Sequence, residues 1–119
     1  MTAEQSLKRD AEYLEIIVGF CDDICELVGL HGSDEEDFHK ISLQYGCIFS
    51  LIQIGEYVKR LSKTLISEHP NVDWGAAAKM RDFVVHNYMD VNTTRLRSTI
   101  LTNIPSFREN CQRILNSIS

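Results

Sequence analysis

Residues 7–29, LKRDAEYLEIIVGFCDDICELVG, decide the fold class. Within them Leu7, Ala11, Leu14, Ile17, Val18, Cys21, Ile24, Cys25 and Val28 recur at steps of three and four, which places them on one face of an α-helix. Gly29 ends the pattern and Gly32 punctuates the loop beyond it. A strand would need alternation at a period of two, and no such run bounded by turn residues occurs anywhere in the chain.

Working outward, Ser33 followed by Glu36 has the form of a capping box, and Asp34, Glu35, Glu36 and Asp37 put negative charge where the helix dipole favours it. A second helix is therefore predicted from Ser33, with a buried stripe through Ile41, Tyr45, Ile48, Ile52, Gly55, Leu61 and Leu65. Gly46 and Gly55 leave room in it for a close neighbour, and Pro70 and Asn71 mark its end. Asp73 caps a short third helix through Trp74, Ala76, Ala77, Ala78, Met80 and Val84, whose alanines carry high intrinsic propensity. Asn92 or Thr93 caps a fourth, with an apolar seam of Leu96, Ile100, Ile104, Phe107, Cys111, Ile114 and Ile118 that Pro105 should kink or break. The expected fold is all-α, an antiparallel four-helix bundle whose third helix is short, with residues 1–119 forming one domain.

Composition agrees. Hydrophobic residues make up 44% and charged residues 24%, with two prolines and six glycines, the profile of a soluble domain with a packed core. No apolar run approaches the roughly 18 residues that span a bilayer, and Met1 to Asp10 is too polar for a signal-peptide core, so no membrane association and a cytoplasmic location are expected. Cys21, Cys25, Cys47 and Cys111 sit among apolar neighbours and are expected to be buried free thiols. No Cys or His pair has zinc spacing and no glycine-rich phosphate loop is present, so neither a metal nor a nucleotide cofactor is expected. His31, His39 and His69 read as surface side chains.

The net charge of -5 argues, taken alone, against a nucleic-acid binder. Its distribution softens that objection. Residues 1–56 hold three basic and twelve acidic side chains, whereas residues 57–97 hold seven basic and four acidic ones. The positive balance coincides with the one stretch that combines a guanidinium, a carboxylate, an imidazole, an amide and a phenol: Arg81, Asp82, His86, Asn87 and Tyr88.

Cleaving RNA without a metal needs a group that takes the 2′-hydroxyl proton, a group that protonates the leaving oxygen, and a cation beside the phosphate; His and Arg suit those tasks. Asp82 and His86, four apart, share a helix face, so the carboxylate could orient the imidazole. Arg81 and His86, five apart, lie roughly 140° from one another on an ideal helix, so their convergence needs the length of arginine, a helix end, or a second subunit across a two-fold axis. The plainer alternative is a solvated helix end whose Arg and His meet the C-terminal dipole. Glu56 either faces this region and positions Arg81 or pairs with Arg60 at i, i+4, the second being favoured. Trp74 is expected to anchor the third helix on the core rather than to stack on a base.

The run Arg81-Asp82-Phe83-Val84-Val85-His86-Asn87-Tyr88 resembles the R-x4-H-x-Y signature of the HepT-like branch of the HEPN superfamily. Gln53-Ile54-Gly55-Glu56 with Lys59-Arg60-Leu61-Ser62 is similar to the family's I-G-E-A...L-S stretch, and Pro70-Asn71-Val72-Asp73-Trp74 to its P-x-x-x-W. The similarity extends from about Tyr13 to Leu115. The chain departs at Asn87, where an acidic residue is common, and at Tyr57, where alanine is.

The resemblance implies a helical homodimer with the Arg-His motifs at its interface, acting as the toxin of a HEPN/minimal nucleotidyltransferase toxin-antitoxin pair of the type VII kind. It implies a metal-independent endoribonuclease in which Arg81 stabilises the phosphate, His86 serves in acid-base catalysis and Asp82 supports the pair. It further implies a nucleotidyltransferase antitoxin that transfers AMP to Tyr88, where a bulky anion two residues from His86 would repel substrate phosphate. The competing expectation is a catalytically silent helical subunit that serves a nucleotidyltransferase as a binding module.

Overall fold

The computed structural model describes residues 1–31, 41–87 and 93–119. The capping box at Ser33, the acidic run Asp34 to Asp37, His39, the Asn92 cap and Tyr88 lie outside them. Among the described residues the structure is all-α, a helical bundle: α1 (Ala3–His31), α2 (Ile41–Arg60), α3 (Lys63–Glu68), α4 (Trp74–Asn87) and α5 (Thr93–Ile118). No helix among them is long and apolar enough to cross a membrane.

α1 begins earlier than its apolar face. Thr2 and Gln5 form a reciprocal capping box, the Gln5 N–H donating to Thr2 Oγ1 at 3.1 Å and the Thr2 N–H to Gln5 Oε1 at 2.9 Å. From there α1 buries Leu14, Ile17, Val18, Cys21, Ile24 and Val28 between α2 and α5. Leu7 and Cys25, expected inside, are exposed instead. Leu7 belongs to the first turns, and Cys25 sits at the border of the apolar stripe, one position round from Ile24. The other three cysteines are buried, and all four are free thiols.

α2 buries Cys47, Ile48, Leu51, Ile54 and Val58. Tyr45, expected on that stripe, points outward, because the inward face is centred on Leu51 and Ile54 and position 45 lies about 150° round the helix from that centre. The expected single helix through Leu65 is broken at Ser62, whose extended backbone caps α3 by accepting the Leu65 N–H on Oγ at 3.1 Å. The cause lies 52 positions away: the buried Asp10 of α1 accepts the Ser62 N–H at 2.9 Å and its hydroxyl at 2.6 Å. A serine that donates twice to a neighbour's carboxylate cannot also continue the helical ladder.

Asp73 caps α4 as its position predicts, Oδ1 accepting the Ala76 N–H at 3.0 Å. Trp74 is buried, donates from Nε1 to the His69 carbonyl at 3.0 Å, and meets Phe107 of α5 edge-on at 5.8 Å. α5 buries Leu96, Ile100, Ile104, Cys111 and Ile114, the predicted seam. It runs without a break through Pro105. Pro105 and Leu101, the residue whose carbonyl it leaves without a helical donor, are both exposed, so the missing bond falls on the water side. α2 packs on both α1 and α4, and a cleft of about 310 Å³ lined by Leu51, Ile54, Met80, Ile104 and Phe107 remains between α2, α4 and α5.

Candidate active site

The site is built on the crossing of α2 and α4, and a missing side chain makes that crossing possible. A Cβ on Gly55 would overlap the Cβ of Arg81 and would stand 2.7 Å from its Cγ and 3.2 Å from the Ala77 carbonyl oxygen. Only glycine lets the two helices approach this closely. Arg81 therefore lays its aliphatic stem over Gly55 and delivers its guanidinium to the residue beside it.

That residue is Glu56, whose Oε1 lies 2.5 Å from Arg81 Nε. Arg81 Nε is fully buried and the contact is one of charge rather than an aligned hydrogen bond. Arg81 Nη1 donates to Asp82 Oδ1 at 3.0 Å, and the same oxygen accepts from Lys59 Nζ at 3.1 Å. Two carboxylates and two cations from α2 and α4 thus form one chain of contacts: Glu56, Arg81, Asp82, Lys59. The hydrogen bond to Asp82 pushes the Arg81 guanidinium further above its already high range, with the Glu56 charge acting in the same sense. Asp82 is held below the usual carboxylate range, first by the Lys59 ammonium and then by Arg81.

Glu56 thereby faces Arg81, and the favoured i, i+4 pairing with Arg60 does not form. Arg60 turns to the other side, its guanidinium 4.7 Å from the centre of the Tyr57 ring. The tertiary partner prevails because Arg81 arrives half-buried beside Glu56, where a charge pair is screened less than on an open helix face. The sequence carries a signal for this arrangement: Glu56 and Lys59, one turn apart on α2, are complementary in order to Arg81 and Asp82 on α4. Lys59 is the member that the motif alone does not reveal.

His86 lies on the last turn of α4 and is exposed, while Val84, two residues before it, is fully buried. Among the described residues no hydrogen bond joins Asp82 to His86; Asp82 Oδ1 is engaged by Arg81 and Lys59 instead. Within one chain, then, the guanidinium faces α2 and the imidazole faces solvent. Trp74 serves the core, as expected, and His69 is half-buried beside it rather than on the open surface. Among the described residues no three His, Cys, Asp or Glu side chains gather as a metal would require.

The model of the family described as Ribonuclease HepT-like matches residues 11–114. The chain belongs to the HepT-like ribonuclease family. One HepT-like relative, a protein of Caldanaerobacter subterraneus subsp. tengcongensis with the provisional name of an RNase, is 37% identical over 110 residues, covering 92% of this chain and 96% of its own length. A second provisionally named RNase, from Methanocaldococcus jannaschii, is 28% identical over 113 residues, covering 93% and 96%. A Thermococcus cleftensis protein named on similar terms as ribonuclease HepT is 30% identical over 105 residues, covering 87% of each chain. No solved structure matches this HepT-like chain.

Proposed function

We propose that this HepT-like protein is a metal-independent endoribonuclease, the toxin of a toxin-antitoxin pair, and that it cuts RNA with Arg81 and His86. The observation that carries the reading is the guanidinium itself, kept charged and oriented by Glu56 and Asp82 on the helix that presents His86 to solvent one turn later. In the proposed reaction the ribose 2′-oxygen loses its proton to a base, attacks the adjacent phosphorus, and the P–O5′ bond breaks as the 5′-oxygen takes up a proton. His86 supplies the proton transfer, and Arg81 stabilises the charge that gathers on the phosphate oxygens. Nη2 and the second Nη1 proton of Arg81 are the donors left for that phosphate.

One imidazole cannot be base and acid at once, and in one chain it faces away from the guanidinium. A two-fold pairing of α4 would supply a second imidazole and set it against the first chain's Arg81, so the active unit in this reading is a homodimer. Tyr88, two residues beyond His86, is the proposed site at which a nucleotidyltransferase antitoxin attaches AMP and silences the cleft.

Purified protein should degrade single-stranded RNA in the presence of a chelator and sediment as a dimer. Arg81→Ala and His86→Ala should each lower cleavage at least a hundredfold while circular dichroism stays unchanged. Cleavage that survives both substitutions refutes the assignment. Incubation with the antitoxin and ATP should add one AMP to the intact chain and none to Tyr88→Phe.

A second reading has its own support. Arg81 already contacts two carboxylates, and the whole chain carries a net charge of -5, both of which suit a silent helical subunit serving a nucleotidyltransferase. Growth arrest on expression of the chain alone separates the two: arrest relieved by His86→Ala belongs to the nuclease, arrest that persists to a binding module.

A further inference from the structure

Beside the Arg81 network, where α1 meets the end of α2, lies a stack of side chains that the chemistry above does not use. The Arg60 guanidinium sits 4.7 Å from the Tyr57 ring centre, and the Tyr57 ring meets that of Tyr13 at 5.6 Å with 55° between their planes. Both tyrosines are half-buried and packed on the core, while Arg60 is exposed. The two bonds from Ser62 to the buried Asp10 tie this end of α1 to the α2–α3 junction, so the rings are held by the fold rather than by each other alone.

An exposed arginine ordinarily samples many rotamers. Seated on a tyrosine it becomes a flat, delocalised cation with one face covered and the other open, and a nucleobase stacks on such a face. Lys59 and Lys63 flank it in sequence, both exposed, and Lys59 is bonded through Asp82 to Arg81. Lys59 and Arg60 are neighbours on α2 and point about 100° apart around it, so the stack lies round the helix from the network that would engage a phosphate. Tyr57 is also the position at which this chain departs from I-G-E-A, so the support under Arg60 is a feature of this sequence.

We propose that Arg60, supported by Tyr57 and Tyr13, is a base-stacking subsite for single-stranded RNA that seats an unpaired base of a strand whose phosphate is engaged at Arg81. The subsite deepens the ribonuclease reading and rests on it. A simple phosphate clamp would need the charge of Arg60 but not its plane; a stacking platform needs both.

The experiment uses the full-length chain carrying His86→Ala, so that RNA stays intact, and measures by fluorescence anisotropy its binding to a short single-stranded RNA and to an abasic strand of equal length at one fixed salt concentration. Arg60→Lys keeps the charge and removes the plane. It should weaken binding of the RNA by about five- to a hundredfold, the range expected for one stacked base, and leave the abasic strand unaffected. The circular dichroism and melting temperature of Arg60→Lys should match the parent's, which guards against general damage to this end of the bundle. The proposal is overturned if Arg60→Lys binds RNA as the parent does, if it loses the same factor on both strands, or if the parent itself does not prefer RNA over the abasic strand. Cleavage by the chain with His86 restored is scored separately: a stacking effect in a protein that cuts nothing retires the nuclease and keeps the subsite, and cleavage without a stacking effect does the reverse.

Discussion

The contact of α1 with α5 and the contact of α2 with α4 are both helix packings, and they use different physics. Between α1 and α5 the inward side chains are apolar and fully buried, Cys21, Ile100 and Cys111 among them, and charge is confined to the rim, where Arg108 meets Asp22 at 2.9 Å and its neighbour Glu109 at 3.0 Å. Between α2 and α4 a glycine draws the backbones together and four charged side chains are arrayed alongside. The first contact supplies stability through excluded water; the second spends close approach on holding one guanidinium still. Damage to the first should unfold the molecule, and damage to the second should disarm it.

The largest effect is expected from Ile100→Ala, which empties a position that is 1% exposed on α5. A loss of about 2–5 kcal/mol in a denaturant titration, with cleavage per folded molecule retained, fits the division of labour. A loss of activity ahead of unfolding would break it. Gly55→Ala comes next, because its Cβ must displace the Arg81 stem: about 1–3 kcal/mol of overpacking is expected, accompanied here by a sharp fall in cleavage. Wild-type melting and wild-type cleavage in that variant would show that the close approach is incidental.

Alkaline pH probes the buried thiols of the apolar core. Burial pushes the Cys111 thiol up to about 12 and the Cys47 thiol to about 11, and Cys21 moves in the same direction. Each folded-state value lies above that of the unfolded chain, so this contribution is complete below about pH 9 and is lost as pH rises from there toward 11 to 12. The slope is roughly 1.4 kcal/mol per pH unit for each thiol. Melting curves between pH 8 and pH 10 should show the decline, and Cys111→Ala should reduce it by one thiol's share. The smallest effect on stability is expected from Glu56→Gln, which keeps the shape and removes the charge beside Arg81 Nε. Its melting temperature should barely move while cleavage drops at least tenfold; the opposite pattern would make Glu56 a structural residue.

Much of this was readable in the chain because periodicity and local capping are written in neighbouring residues. The seam from Leu96 to Ile114, the Asp73 cap, the Trp74 anchor and the space at Gly55 all follow from spacing within one or two turns. Two features were harder to read, because their cause lies far along the sequence. The break at Ser62 depends on Asp10, and the choice between the two readings of Glu56 depends on Arg81, a residue of another helix. Cys25 shows a further reason: an apolar stripe has edges, and which edge residue turns inward is decided by the neighbouring helix rather than by the stripe.

The carboxylate of Asp10 has a consequence for how the protein is handled. It holds Ser62, the N-cap of a helix that begins with residue 63, so the N-terminal ten residues act as a remote cap for the middle of the chain. A truncation or fusion that removes or displaces Asp10 is in effect a lesion at Ser62, and its first symptom would surface beside Tyr57 and Arg60 rather than at the N-terminus where the change was made.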